Sequence, residues 1–276
     1  MKSARSSWHS VGVSVKPPSI VPVPAASLVL LRDRAGGGVE TLLIQRHHGS
    51  RFAPGDFVFP GGKIEVDDTP ADAEAWCAGP DGATAAGTLG LADPRGALGY
   101  WIGAIREAFE EVGVLLAYGA GGRPAALEQA RLLDHRRACQ RDHRAFWELL
   151  RGEGLKLATD QLVYFAHWIT PEERPLRYDT RFFAAPMPAA QDAEADEHEI
   201  IGVRWLTPAD ALQARARGEI SLRLPTMKNL AFFDGAGSTA EALDRLGGLR
   251  VASIRPRMVT DDGKPRTLLP GDPGYF

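Results

Sequence analysis

The amino-acid sequence predicts one mixed α/β (α+β) domain, and three observations carry that prediction. Short apolar runs punctuated by Gly and Pro read as strands early and late in the chain. Between them, residues 98–116 repeat apolar side chains at three- and four-residue steps, the period of a helix. No internal repeat or long linker divides the 276 residues, which suit one enlarged domain. With 32 basic against 35 acidic side chains, the net charge of −3 gives no electrostatic case for nucleic acid or an anionic membrane as partner. No apolar run approaches the roughly 20 residues that span a bilayer.

The elements follow in order. Residues 1–24, rich in Ser, Pro and Val, read as a loose arm without the continuous apolar core of a secretion signal. Ala26–Leu31 and Val39–Ile44, joined by Gly36-Gly37-Gly38, predict a hairpin. A Gly/Pro-rich loop with a short Phe57-Val58-Phe59 strand comes next. Residues 69–97, rich in Ala, Gly, Pro and Asp, are expected as an inserted loop with at most a short helix near 71–76. After the helix at 98–116, residues 124–152 form a second helical segment. Leu162–Ile169, Tyr178–Ala184 and Glu199–Leu206 predict strands. Pro208–Arg217 predicts a helix capped by Thr207. Residues 25–235 make up the main domain. Residues 236–276 are a C-terminal extension on the same domain, a short helix at 239–246 followed by Pro-rich extended chain. Two cysteines, Cys77 and Cys139, exclude a disulfide framework and suit a reducing, intracellular setting.

The densest chemistry lies in Arg106-Glu107-Ala108-Phe109-Glu110-Glu111-Val112-Gly113-Val114. On a helix, Glu107, Glu110 and Glu111 stand at i, i+3 and i+4, so three carboxylates share one face. Like charges at that spacing repel, and hard divalent cations are their natural counter-charge. Ile105, Phe109 and Val112 anchor the opposite face, and Arg106 reaches a neighbouring carboxylate to fix its rotamer. By itself E-x-x-E-E also suits a solvated acidic face.

Upstream stands Phe59-Pro60-Gly61-Gly62-Lys63-Ile64-Glu65-Val66-Asp67-Asp68. The two stretches together resemble the Nudix box of the Nudix hydrolase superfamily, G-x5-E-x7-R-E-U-x-E-E-x-G-U, where U is aliphatic. Gly62 matches the first Gly, and Arg106 to Val114 match the whole second half. Asp68 stands where the family has Glu. Thirty-seven residues rather than seven then separate it from Arg106, which leaves the role of Asp68 open. The resemblance implies an α/β/α sandwich and hydrolysis of a phosphoanhydride in a nucleoside diphosphate linked to some group. It further implies Mg²⁺ or Mn²⁺ held by Glu107, Glu110 and Glu111. The catalytic set it implies is Glu110, Glu111, Arg106 and a remote Glu199, chosen from the acidic run 192–199. Which carboxylate takes the proton stays open. Gly61 and Gly62 bring the loop close to the helix and the substrate.

Leu42 to Gly62 resembles the signature of coenzyme A diphosphatases, LL-x-x-R followed by R-x3-G-x3-F-P-G-G. It casts Arg46 and Arg51 as phosphate ligands, for which a planar guanidinium is suited. The split box, Trp168-Ile169-Thr170-Pro171 and Arg177–Phe183 are similar to the Nudix motif 19 subfamily. The implied reaction is hydrolysis of coenzyme A (CoA) or acyl-CoA to 3′,5′-ADP and (acyl-)4′-phosphopantetheine. Alternatives are a Nudix enzyme for ADP-ribose, NADH or a nucleoside triphosphate, and a non-catalytic nucleotide sensor. The expected partner is a small nucleotide, with a homodimer left open. The last four residues hold no peroxisomal tripeptide, in keeping with the cytoplasm. The Arg-rich run 131–144 reads first as a solvated or acid-pairing face and second as a surface for an acidic ligand.

Overall fold

The computed structural model describes residues 20–275. The expected arm therefore lies mostly outside the described residues, and Val23 and Pro24 already belong to the first strand. The elements run β1 (Val23–Asp33), β2 (Val39–Arg46), β3 (Phe57–Val58), β4 (Gly61–Lys63), α1 (Gly82–Leu89), α2 (Pro94–Val112), β5 (Ala117–Tyr118), α3 (Gln129–Arg141), α4 (Ala145–Glu153) and β6 (Lys156–Leu157). They continue with β7 (Val163–Ile169), β8 (Tyr178–Pro186), β9 (Ile200–Leu206), α5 (Pro208–Ala216), α6 (Leu224–Leu230), α7 (Thr239–Gly247), β10 (Ser253–Ile254), β11 (Arg257–Asp261) and β12 (Lys264–Leu268).

The predicted hairpin forms, pairing Leu31 with Thr41. It sits inside a mixed sheet ordered β10-β7-β8-β1-β2-β3, with β4 on β1 and β9 on β2. β1 runs parallel to β8 and antiparallel to β2 and β4. Side chains alternate across the sheet. Leu28, Leu30, Leu42 and Ile44 pack towards Ile102, Ile105 and Phe109 of α2. Val29, Leu31 and Leu43 pack towards Ala211 of α5, Leu230 of α6 and Leu246 of α7. Helices thus cover both faces, the expected sandwich.

Several boundaries differ from expectation. The long helix begins at Pro94, because Asp93 caps it by accepting the Arg95 N–H (3.1 Å) and proline is tolerated at the first position. It ends at Val112, because Gly113 takes the left-handed conformation at φ +72°. Leu116 lies beyond it. The insertion is not a bare loop: Asp81 caps α1 through the Thr84 N–H (2.7 Å), and Ala85, Ala86 and Leu89 bury against the α2 side of the core. Its small side chains hide any apolar stripe in the sequence. The segment 124–152 is two helices broken at residues 142–144. The C-terminal extension adds β10 to the main sheet, parallel to β7, and folds back as the β11–β12 hairpin. No helix among the described residues is long and apolar enough to cross a membrane.

Candidate active site

The last two turns of α2 bury Arg106, Glu110 and Glu111 in a helix otherwise anchored by apolar side chains. A buried guanidinium must be paired, since the desolvation of a charge is costly. Its partner is Asp68. Nε lies 2.7 Å from Oδ1 and Nη2 lies 2.9 Å from Oδ2, with the Lys63 carbonyl accepting a further bond (2.9 Å). Asp68 is itself 1% exposed. The role that the sequence left open is therefore structural: the Asp68–Arg106 pair closes the split box in space while the insertion loops out. Arg106 Nη1 also reaches Glu107 (2.9 Å) and Glu110 (3.3 Å).

The glycines act at one turn. Gly61 has φ +153°, and a Cβ there would stand 2.4 Å from the Ala26 carbonyl, so only glycine is accommodated. Its N–H donates to Glu111 Oε2 (2.8 Å). A Cβ on Gly62 would fall 2.4 Å from Glu107 Oε1. The strand therefore lies directly against the carboxylates.

Electrostatics divides those carboxylates. Burial pushes Glu107 up to about 7, opposed by Arg106 and reinforced by Glu110. Glu111 is raised well above the ordinary carboxylate range, first by burial and then by the charge of Glu107. Arg46 and the Gly61 N–H oppose that rise, and Glu199 adds to it. Glu110 is raised by burial too, but its two oxygens face Arg106 and His143 Nδ1 (3.0 Å). Glu107 and Glu111 thus form an under-neutralised pair of hard oxygen donors, which fits a divalent cation. Among the described residues, no group of three or more His, Cys, Asp or Glu side chains is disposed to hold a metal ion.

The remaining predicted residues gather around this pair. Arg46 stands 3.5 Å from Glu111 and donates to the Phe52 carbonyl (3.2 Å). Arg51, Gly61, Gly62 and Glu199 line the same cavity, whose volume is about 1360 Å³. Glu199 is exposed at the start of β9. Its neighbour Asp196 accepts the N–H groups of residues 198, 199 and 200, so one member of the acidic run shapes the turn that carries the other.

Sequence reasoning missed three features. Arg136 is buried and donates from Nε to the Glu110 carbonyl (3.0 Å) and from Nη2 to the carbonyls of Glu111 (2.6 Å) and Glu194 (3.0 Å). Gln140 donates to the Glu110 carbonyl (2.7 Å). The bonds to Glu110 and Glu111 satisfy open carbonyls at the end of α2, where positive charge also complements the helix dipole. His143, between α3 and α4, faces Glu110. The i, i+4 spacing of Arg136 and Gln140 was visible, but their target was not.

A helix of buried carboxylates against a Gly-Gly strand, in a mixed sheet covered by helices, is the arrangement of a Nudix hydrolase. A solved Nudix hydrolase from Alicyclobacillus acidocaldarius superposes with a TM-score of 0.69 at 26% identity, covering 81% of this chain and 96% of that one. The family model described as the NUDT19 Nudix domain matches residues 92–232, and the chain belongs to that family. Similar relatives are the acyl-coenzyme A diphosphatases NUDT19 of Gallus gallus, 31% identical over 228 residues, and of Homo sapiens, 30% identical over 282. The matches cover 69% and 87% of this chain. They span 60% of the chicken protein and 73% of the human one.

Proposed function

We propose that the chain hydrolyses the pyrophosphate bond of CoA or acyl-CoA with a divalent cation, Mg²⁺ or Mn²⁺, releasing 3′,5′-ADP and (acyl-)4′-phosphopantetheine. The observation that carries this reading is the under-neutralised pair of half-buried Glu107 and buried Glu111, which faces a cavity edged by guanidinium groups. The likeness to acyl-CoA diphosphatases supports the substrate class.

Glu107 and Glu111 hold the cation. Glu110, the third ligand that the sequence implies, would reach the cation only by giving up Arg106 or His143. When bound, the cation supplies charge neutralisation and polarises the phosphoryl oxygens. Arg46 exchanges its long contact with Glu111 for a pyrophosphate oxygen, and Arg51 holds a second one. Gly61 and Gly62, without side chains, let the diphosphate approach the strand. Glu199 is exposed and close enough to bias Glu111, and it takes the proton from the attacking water. Arg106 keeps Glu107 and Glu110 in place. The protein acts in the cytoplasm.

The test is product analysis after incubation with Mg²⁺ or Mn²⁺ and a panel of CoA, several acyl-CoAs, ADP-ribose, NADH and ATP. The expected result is 3′,5′-ADP from CoA or acyl-CoA, at the highest kcat/KM of the panel. Faster turnover of ADP-ribose, NADH or ATP would overturn the substrate assignment, and no turnover at all would overturn the catalytic one.

A further inference from the structure

The cavity has two chemically different walls, one on each side of the carboxylate turn. On one side stands the C-terminal half of α3. Arg136 and Gln140 face the end of α2, so Arg137 and Arg141, each one position further round the helix, flank that contact. Both line the cavity, together with Gln140 and His143. Among the described residues, Arg137 makes only a long, exposed contact with Asp134 (3.7 Å). For Arg141 no side-chain hydrogen bond or ion pair forms among the described residues.

On the other side the contacts run from Glu111 through Arg46 to the Phe52 carbonyl. The Phe52 ring meets Tyr178 edge-on at 5.1 Å and lies under Arg223 at 5.3 Å. From there the wall is apolar: Trp168, Leu176, Leu224 and Met258 face the same space. Of the cations on that side, Arg223 pairs with Asp56 (2.5 Å) and Arg46 with Glu111, while Arg174 stands alone two residues before Leu176 and has no ion pair among the described residues. The polar wall is where two guanidinium groups one helical turn apart converge on the cavity.

We infer that Arg137 and Arg141 form a subsite for a phosphomonoester dianion borne by the substrate beyond its scissile pyrophosphate, and so fix which end of the substrate lies where. The inference rests on the CoA reading above: CoA carries such a group as its ribose 3′-phosphate. That end then lies against α3, and the pantetheine or acyl-pantetheine end lies along Phe52, Trp168, Leu176, Leu224 and Met258. Two guanidinium groups spaced by one turn match the several acceptor oxygens of a dianion.

The test is the double variant Arg137→Gln with Arg141→Gln, both exposed positions, with its melting temperature measured as a control. Calorimetry compares 3′,5′-ADP with 5′-AMP, and kinetics with Mg²⁺ compare CoA with dephospho-CoA. The wild type should prefer the 3′-phosphorylated compound in both assays by about 30-fold, the scale of one or two hydrogen bonds to a charged group. In the variant both ratios should fall towards one. No 3′-phosphate preference in the wild type, or a preference that survives in the variant, would overturn the subsite. A wild type that leaves CoA intact yet binds 3′,5′-ADP through these arginines would sink the substrate reading and uphold the subsite.

Discussion

Two charge groups meet along α2 and are treated in opposite ways. Arg106 and Asp68 are each 1% exposed and pair through two short bonds, with the Lys63 carbonyl accepting another. Beside them on α2, Glu107 and Glu111 stand among like charges with only partial compensation from Arg106, Arg46 and the Gly61 N–H. The difference teaches where structure ends and chemistry begins within the box. Under the proposed function, charges that close the fold are neutralised by the chain itself, and charges that do the chemistry are left for a ligand to neutralise.

The largest effect should come from breaking the first group. Asp68→Ala leaves Arg106 buried without its main counter-charge and should lower unfolding stability by about 3–5 kcal/mol, read by urea denaturation. A loss below about 1 kcal/mol would erase the distinction between the two groups. Glu111→Gln should do the converse. Activity should fall about 10³-fold, because cation binding carries several kcal/mol of transition-state charge stabilisation. Its melting temperature should not fall, since a repelling charge has been removed.

A smaller effect tests what holds the second group in place. Arg136→Met removes three hydrogen bonds, two to carbonyls at the end of α2 and one to the Glu194 carbonyl, and should cost about 2 kcal/mol of stability. The variant should also lower kcat more than it raises KM for CoA, whereas a merely structural role would leave kcat per folded molecule intact. The smallest effect is a pH signature. Glu107 is raised from 4.5 to about 7, so its protonated form is favoured by folding, and this stabilisation is lost as pH rises through that window. In chelated buffer, Glu107→Gln should match the wild type near pH 4.5. Near pH 8 it should exceed the wild type by on the order of 1 kcal/mol. A difference that stays flat with pH would mean that Glu107 is compensated after all.

How much of this was legible in the sequence follows from range. The carboxylate face, Gly61, Gly62 and the Thr207 cap are local patterns, and the structure has them at the expected positions. The place of Glu199 beside the cavity was legible because the strand after it was. Asp68 was not, because its partner is distant along the chain and only the folded loop brings them together. The same holds for Arg136, whose targets are backbone carbonyls that no side-chain pattern announces. α1 was hidden by a composition of Ala, Gly and Thr that carries no apolar stripe. The β11–β12 hairpin was hidden by Pro265 in a highly charged stretch, where strands are rarely read.

The central claim is that the Glu107–Glu111 pair awaits a cation in order to cleave CoA. It is tested most directly by incubating wild type and Glu111→Gln with CoA and Mg²⁺, with and without chelator. Wild type should yield 3′,5′-ADP and 4′-phosphopantetheine only without chelator, and the folded variant should yield neither. Cleavage by the variant at the wild-type rate, or by wild type in excess chelator, would contradict the account.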